Sequence, residues 1–165
     1  MNTGIKPIKR TESLLKLSRE HHFTLLFGWK IRQGIKNNTG FERMVPYVHY
    51  FWNNHILPHF MEEEEILFAP ADDPLVMKAK QQHKAIQQLV ESFAVQDSQS
   101  TDQLRQLADE LDKHIRFEER ELFPHLEKIL KADQLALIGK KLNASASHEV
   151  KDDYADAFWN LKSSL

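Results

Sequence analysis

The sequence predicts an all-α protein: an up-down-up-down four-helix bundle with short extra helices at its C-terminal end. Three observations predict it. Apolar residues recur at spacings of three and four over four long stretches, the period of a helix with one buried face. Clusters rich in Pro, Asp, Asn and Ser separate those stretches, and connections that short make neighbouring helices antiparallel. No run alternates apolar and polar residues as a strand does, and 5 glycines in 165 residues are too few for a turn-dense β architecture.

The first helix is expected over about 11–36. Leu14, Leu15, Ser18, His22, Leu25 and Trp29 share one side of it, the side expected to face the bundle. Phe23, Phe27 and Ile31 form a second stripe behind, which needs cover from the C-terminal segments or from a second subunit, as in a homodimer. Asn37-Asn38-Thr39-Gly40 ends this helix. The second helix is expected over about 42–68, with Pro46 near its start and Pro58 inside it. An interior proline removes a backbone hydrogen bond at ~3 kcal/mol, so a kink at Pro58 is expected to orient His59. Pro70, Asp72, Asp73 and Pro74 make the next loop, and a third helix follows over about 75–95. After the polar break 96–100, Ser100-Thr101-Asp102-Gln103 reads as a capping box that starts the fourth helix, which runs to about Leu130. Pro124 is expected to bend or end it. Two shorter helices are expected near 133–142 and 150–161, anchored by Phe158 and Trp159. One domain over 1–165 results, with the bundle at about 11–130 and a helical extension after it.

Composition narrows the chemistry. With 22 Lys+Arg against 24 Asp+Glu, a net charge of −2, the chain lacks the basic balance of a nucleic-acid binder. No apolar run is long enough for a signal peptide or a membrane span, so a cytoplasmic protein without a membrane partner is expected. The chain has no cysteine, which excludes disulfides, thiolate zinc sites, cysteine-ligated iron–sulfur clusters and cysteine nucleophiles. Any metal must be held by nitrogen and oxygen, and the chain has 9 histidines.

Those histidines fall in a pattern. The second helix contains HFMEEEEILF, starting at His59, and the fourth contains HIRFEERELF, starting at His114. Both read His, Glu at +4 and +5, Leu at +8 and Phe at +9. Four residues is one helical turn, so His59 stacks with Glu63 and His114 with Glu118. Glu64 and Glu119 are rotated by ~100°, toward solvent or an outer layer of the site. His83 lies on the third helix and the doublet His21-His22 on the first. In an up-down bundle these four helices can converge four imidazoles and two carboxylates on one interior point. That donor set suits iron, and also manganese or zinc. Two central carboxylates can bridge two cations, each with two imidazoles, leaving positions for an exogenous ligand. His55, one turn before His59, is an outer candidate, while His49, His125 and His148 are expected to be structural or exposed.

The residues REHH, HFMEEEEILF, QQHKAI and HIRFEERELFPH resemble the hemerythrin family, in particular its HHE cation-binding branch, over roughly the first 130 residues. The resemblance implies a bundle around a non-haem centre of two iron ions, in proteins that carry or sense dioxygen, sense redox state or iron, or help repair nitrosatively damaged iron centres. Its acid-then-His pattern favours His21 as the first-helix ligand, whereas the helical projection favours His22. The chain also departs from the dioxygen carriers. They have a second third-helix His where this chain has Gln87, and a fourth-helix Asp five residues after the His, where this chain has Glu118 at +4. The Gln87 amide is expected to hydrogen-bond a ligand or water beside the centre. The resemblance therefore implies a dioxygen or nitric oxide ligand in a sensing, redox or iron-handling role rather than reversible transport. Two other classes are weaker. A ferritin-like oxidase needs Glu-x-x-His pairs and a zinc hydrolase of the H-E-x-x-H type needs that motif, and the chain has neither. A metal-free helical adaptor would leave the duplicated motif without a purpose.

Overall fold

The computed structural model describes residues 9–94, 100–144 and 152–160. It is an all-α helical bundle with no strand among those residues. Four helical columns form it. The first is α1 (Leu15–Lys36), entered through a 3₁₀ turn at Glu12–Leu14. The second strings together α2 (Phe41–Phe51), a π-helical turn (Trp52–Ile56), α3 (Leu57–Glu62) and a second π turn (Glu63–Leu67). The third is α4 (Pro74–Ser92). The fourth is α5 (Thr101–Phe117), a π turn (Glu118–Leu122) and α6 (Phe123–Ile129). A last helix, α7 (Ala132–Ala144), packs on the Glu12–Leu14 turn and on the Glu63–Leu67 turn.

Local chemistry explains the boundaries. α1 ends in a Schellman motif: Asn38 takes a positive φ of 59°, Thr39 N–H reaches the Gly34 carbonyl and Asn38 N–H the Ile35 carbonyl. Asp73 caps α4 by accepting from Leu75 N–H at 2.8 Å, with Pro74 at the first helical position. Ser100 Oγ accepts from Asp102 N–H and starts α5. Pro46 lies inside α2, and the two prolines further along, Pro58 and Pro124, each follow a π turn. Leu57 N–H bonds five residues back to Trp52, and Phe123 N–H five back to Glu118. The wider turn moves the carbonyl four residues before Pro58 and Pro124 out of the ring's way. The helix therefore continues past Pro124 to Ile129 instead of ending there.

The core has two apolar parts. One gathers Phe27, Ile31, Met44, Tyr47, Phe51 and Phe158; the other Leu14, Leu17, Leu67, Phe123, Leu126 and Ile138. Along every column the sequence passes from one part to the other through buried polar residues: His21 on the first, His59 and Glu63 on the second, His83 on the third, His114 and Glu118 on the fourth. The site is thus a polar layer between two apolar ones.

Two expectations are corrected. α1 is turned relative to the predicted stripe. Phe27 and Ile31 are fully buried, while Leu25 is 40% and Trp29 48% exposed, with Phe23, Leu26 and His22 also outside. The apolar residues of α1 are spread round the helix rather than gathered on one face, and its buried face includes His21, Thr24, Gly28, Lys30 and Gly34, which hydropathy alone assigns to solvent. Gly28 faces α5, where a Cβ would meet that of Ala108 in ordinary contact at 3.8 Å. The second correction concerns the chain end. Residues 152–160 form turns rather than the expected helix, and lie over α1 and α2. Phe158 is buried there, and Trp159 packs on Tyr47, as their anchor role required. Among the described residues no helix is long and apolar enough to cross a membrane.

Candidate metal centre

Six buried side chains converge in the polar layer. Glu63 and Glu118 have no exposed surface, and His21, His59, His83 and His114 are at most 5% exposed. They form two groups that share both carboxylates: His21, His59, Glu63 and Glu118, then Glu63, His83, His114 and Glu118, with the ligand atoms of each group within 4.8 Å of one another. The Nε2 atoms face inward. His21 and His114 each approach Glu118 Oε1 at 3.0 Å, and His59 and His83 approach Glu63 Oε1 at 3.2 and 3.3 Å.

The Nδ1 atoms face outward to a second set of acceptors. His59 Nδ1 meets Glu20 at 2.8 Å, His83 meets Glu64 at 3.0 Å, His114 meets the Gln82 amide oxygen at 2.6 Å, and His21 faces Glu119 at 3.6 Å. At His59, His83 and His114 an acceptor at Nδ1 places the ring proton there and turns the Nε2 lone pair inward, whereas His21 donates from Nε2 to Glu118 Oε1 and its Nδ1 has no hydrogen-bond partner.

The duplicated motif reappears as geometry. Each π turn beside the site begins on the central carboxylate, Glu63 or Glu118. Each Glu doublet then holds one imidazole of another helix by both nitrogens: Glu63 and Glu64 hold His83, while Glu118 and Glu119 hold His21. The motif's own histidines are held from the residue preceding those imidazoles, His59 by Glu20 and His114 by Gln82. An approximate two-fold relation therefore maps Glu20-His21 and the His59 motif onto Gln82-His83 and the His114 motif.

The donor set fits a cation. Nε2 of His59, His83 and His114, both oxygens of Glu63 and Oε2 of Glu118 are buried without a hydrogen-bond partner. Burying such atoms unpaired costs about 1–3 kcal/mol each, more for charged groups. A cation between them would satisfy the whole set. The electrostatics agree. Burial, with the Glu118 charge beside it, raises the Glu63 carboxyl well above its ordinary range. Burial also opposes ionised Glu118, yet His114 and His21 hold that carboxyl well below its ordinary range. Burial disfavours charged His83, but the facing Glu63 and Glu64 push it up to about 9. His21 is raised in the same way by Glu118 and Glu119, against its burial, and burial lowers His114.

Cation binding must therefore displace protons. Raised to about 9, His83 carries at neutral pH a proton that coordination must displace, so affinity should rise with pH through the neutral range. One displaced proton gives about tenfold in affinity per pH unit. Titration calorimetry in two buffers of different ionisation enthalpy reads the protons directly, and a buffer-independent heat would contradict the assignment.

Of the sequence candidates, six meet in the layer and His22 does not. Its side chain is exposed, whereas His21 of the same doublet is buried in the layer. His55 packs by Phe51 and Tyr50, away from the layer. His125 pairs with Asp73 at 2.7 Å, and His148 lies outside the described residues. The Gln87 amide donates to Glu91 at 2.9 Å. Glu20, as the partner of His59, and Gln82, as the partner of His114, are the residues that sequence reasoning missed. A signal was available, because the polar residue before His83 repeats the place of Glu20 before His21.

The family model of the hemerythrin HHE cation binding domain matches residues 14–133. No curated protein and no solved structure matches. The matched region contains every residue of the polar layer and well over half of the chain, so the chain belongs to the hemerythrin HHE cation-binding domain family.

Proposed function

We propose that the chain holds two iron ions in this layer, one between His21 and His59 and one between His83 and His114, with Glu63 and Glu118 shared. The ions supply redox chemistry and a place for a small diatomic ligand, dioxygen or nitric oxide. The role is sensing, redox or iron handling rather than dioxygen transport. The observation that carries the reading is the pair of four-residue groups sharing two fully buried carboxylates. Gln87 supports the last part, since it lines the cleft beside His83 and supplies no third imidazole there. The chain's own residues orient the imidazoles through Glu20, Glu64, Gln82 and Glu119, and the flanking apolar layers of Phe60, Leu67, Leu111 and Leu122 exclude water. Anaerobic loading with ferrous iron followed by elemental analysis is expected to approach two irons per chain. Nitric oxide added to that protein should change its optical spectrum. Saturation at one iron would leave a cation site and refute the dinuclear reading; an unchanged spectrum would refute the ligand.

A further inference from the structure

The two halves of the layer are nearly equivalent by the two-fold relation, and they differ at one outer position. In the first half Glu20 backs His59 at 2.8 Å, and the Glu119 carboxylate faces His21 Nδ1 at 3.6 Å, beyond hydrogen-bond length. In the second half His83 is backed by Glu64 at 3.0 Å, but His114 is backed by the neutral carboxamide of Gln82 at 2.6 Å. Gln82 stands where the relation would put the counterpart of Glu20. A carboxylate that accepts the Nδ1 proton makes Nε2 a stronger donor than an amide does, and such outer partners change metal affinity by about 10–100-fold.

Neighbouring cations do not restore the balance. Lys16 lies 3.6 Å from Glu20 and Arg10 3.1 Å from Glu119, and Lys80 lines the same cleft as Glu64, so the neutral amide at Gln82 remains the difference between the outer residues of the two halves. Access differs in the same sense. His83 lies on the floor of a surface cleft of about 430 Å³, between Phe60 and Gln87, with Lys80 and Lys84 at its rim.

We infer that the two cation positions are unequal: the position at His21 and His59 fills first and holds its ion, and the position at His83 and His114 is the weaker and more exchangeable. Gln82 is the positioning residue that sets the difference. This deepens the dinuclear reading and rests on it. The test is anaerobic titration with ferrous iron, followed by calorimetry, on the wild-type chain, Gln82→Glu and Glu20→Gln, with helical content checked for each. The wild type should bind in two steps about tenfold or more apart. Gln82→Glu should tighten the weak step by about tenfold and leave the tight one in place. Glu20→Gln should loosen the tight step by a similar factor, bringing the steps together. Two ions bound with the same step ratio in Gln82→Glu would overturn the inference and spare the dinuclear reading, as would both substitutions moving one and the same step. A wild-type stoichiometry of one ion would overturn the dinuclear reading instead.

Discussion

Alanine at His59 or at His114 is expected to strip the protein of metal, each weakening its own cation position by more than about 100-fold, since removing a direct donor exceeds the loss of an outer partner. The two residues open the two copies of the motif, and each aims Nε2 at a fully buried carboxylate, Glu63 at 3.2 Å and Glu118 at 3.0 Å. Because both carboxylates serve both groups, the loss is not confined to one half. Once one position is empty, one of the shared carboxylates must take up a proton or stay charged without a partner in a dry layer, which distorts the other position as well. His22→Ala and His125→Ala are the controls. His22 is exposed on α1, and His125 is 32% exposed and paired with Asp73 outside the layer. Metal content after loading and desalting should fall sharply in the first two variants and match the wild type in the last two. Equal content in all four would refute the placement of the centre in this layer.

Much of this was legible in the sequence because one spacing does most of the work. His59 with Glu63, and His114 with Glu118, are fixed by helix geometry alone, and the +4 spacing survives because the π turns begin at the glutamates and not before them. α1 shows where such reading stops. Its exposed face carries Leu25, Leu26 and Trp29 and its buried face Thr24, Gly28 and Lys30, so the period was visible and its phase was not. The phase is set by partners far along the chain: Ala108 opposite Gly28, and Asp152 opposite Lys30. Two of the four outer partners escaped for the same reason, while Glu64 and Glu119 were expected there from the motif. Gln82 to His114 spans 32 residues and Glu20 to His59 spans 39, and no local period encodes either pair. The chain end near 152–160 resembles a helix in composition, but its acids are committed elsewhere: Asp156 to Arg43, and Asp152 to Lys30 and Tyr47.

Asp152→Ala is expected to destabilise the metal-free protein by about 3–5 kcal/mol, the usual cost of leaving one partner of a buried ion pair without the other. Lys30 Nζ sits 2.7 Å from Asp152 Oδ2, with both side chains under 10% exposed, and the Tyr47 hydroxyl donates to the same oxygen. Removing the carboxylate leaves a buried ammonium and a buried hydroxyl. The Trp159 ring 4.2 Å from Nζ offsets only part of this, by about 0.5–2 kcal/mol. The carboxylate also pushes the Tyr47 hydroxyl far upward, burial being the larger cause, so Tyr47 stays a neutral donor across the working pH range. Lys30→Met tests the pair from the other side, and Lys30→Met with Asp152→Ala should cost clearly less than the two single changes added together, because the second removal relieves the charge exposed by the first. Urea unfolding of the four proteins gives the cycle. Strict additivity would mean that the pair contributes nothing. It would also mean that apolar contacts of Phe158 and Trp159 alone hold residues 152–160 across α1 and α2, leaving the burial of Lys30 on α1 without a cause.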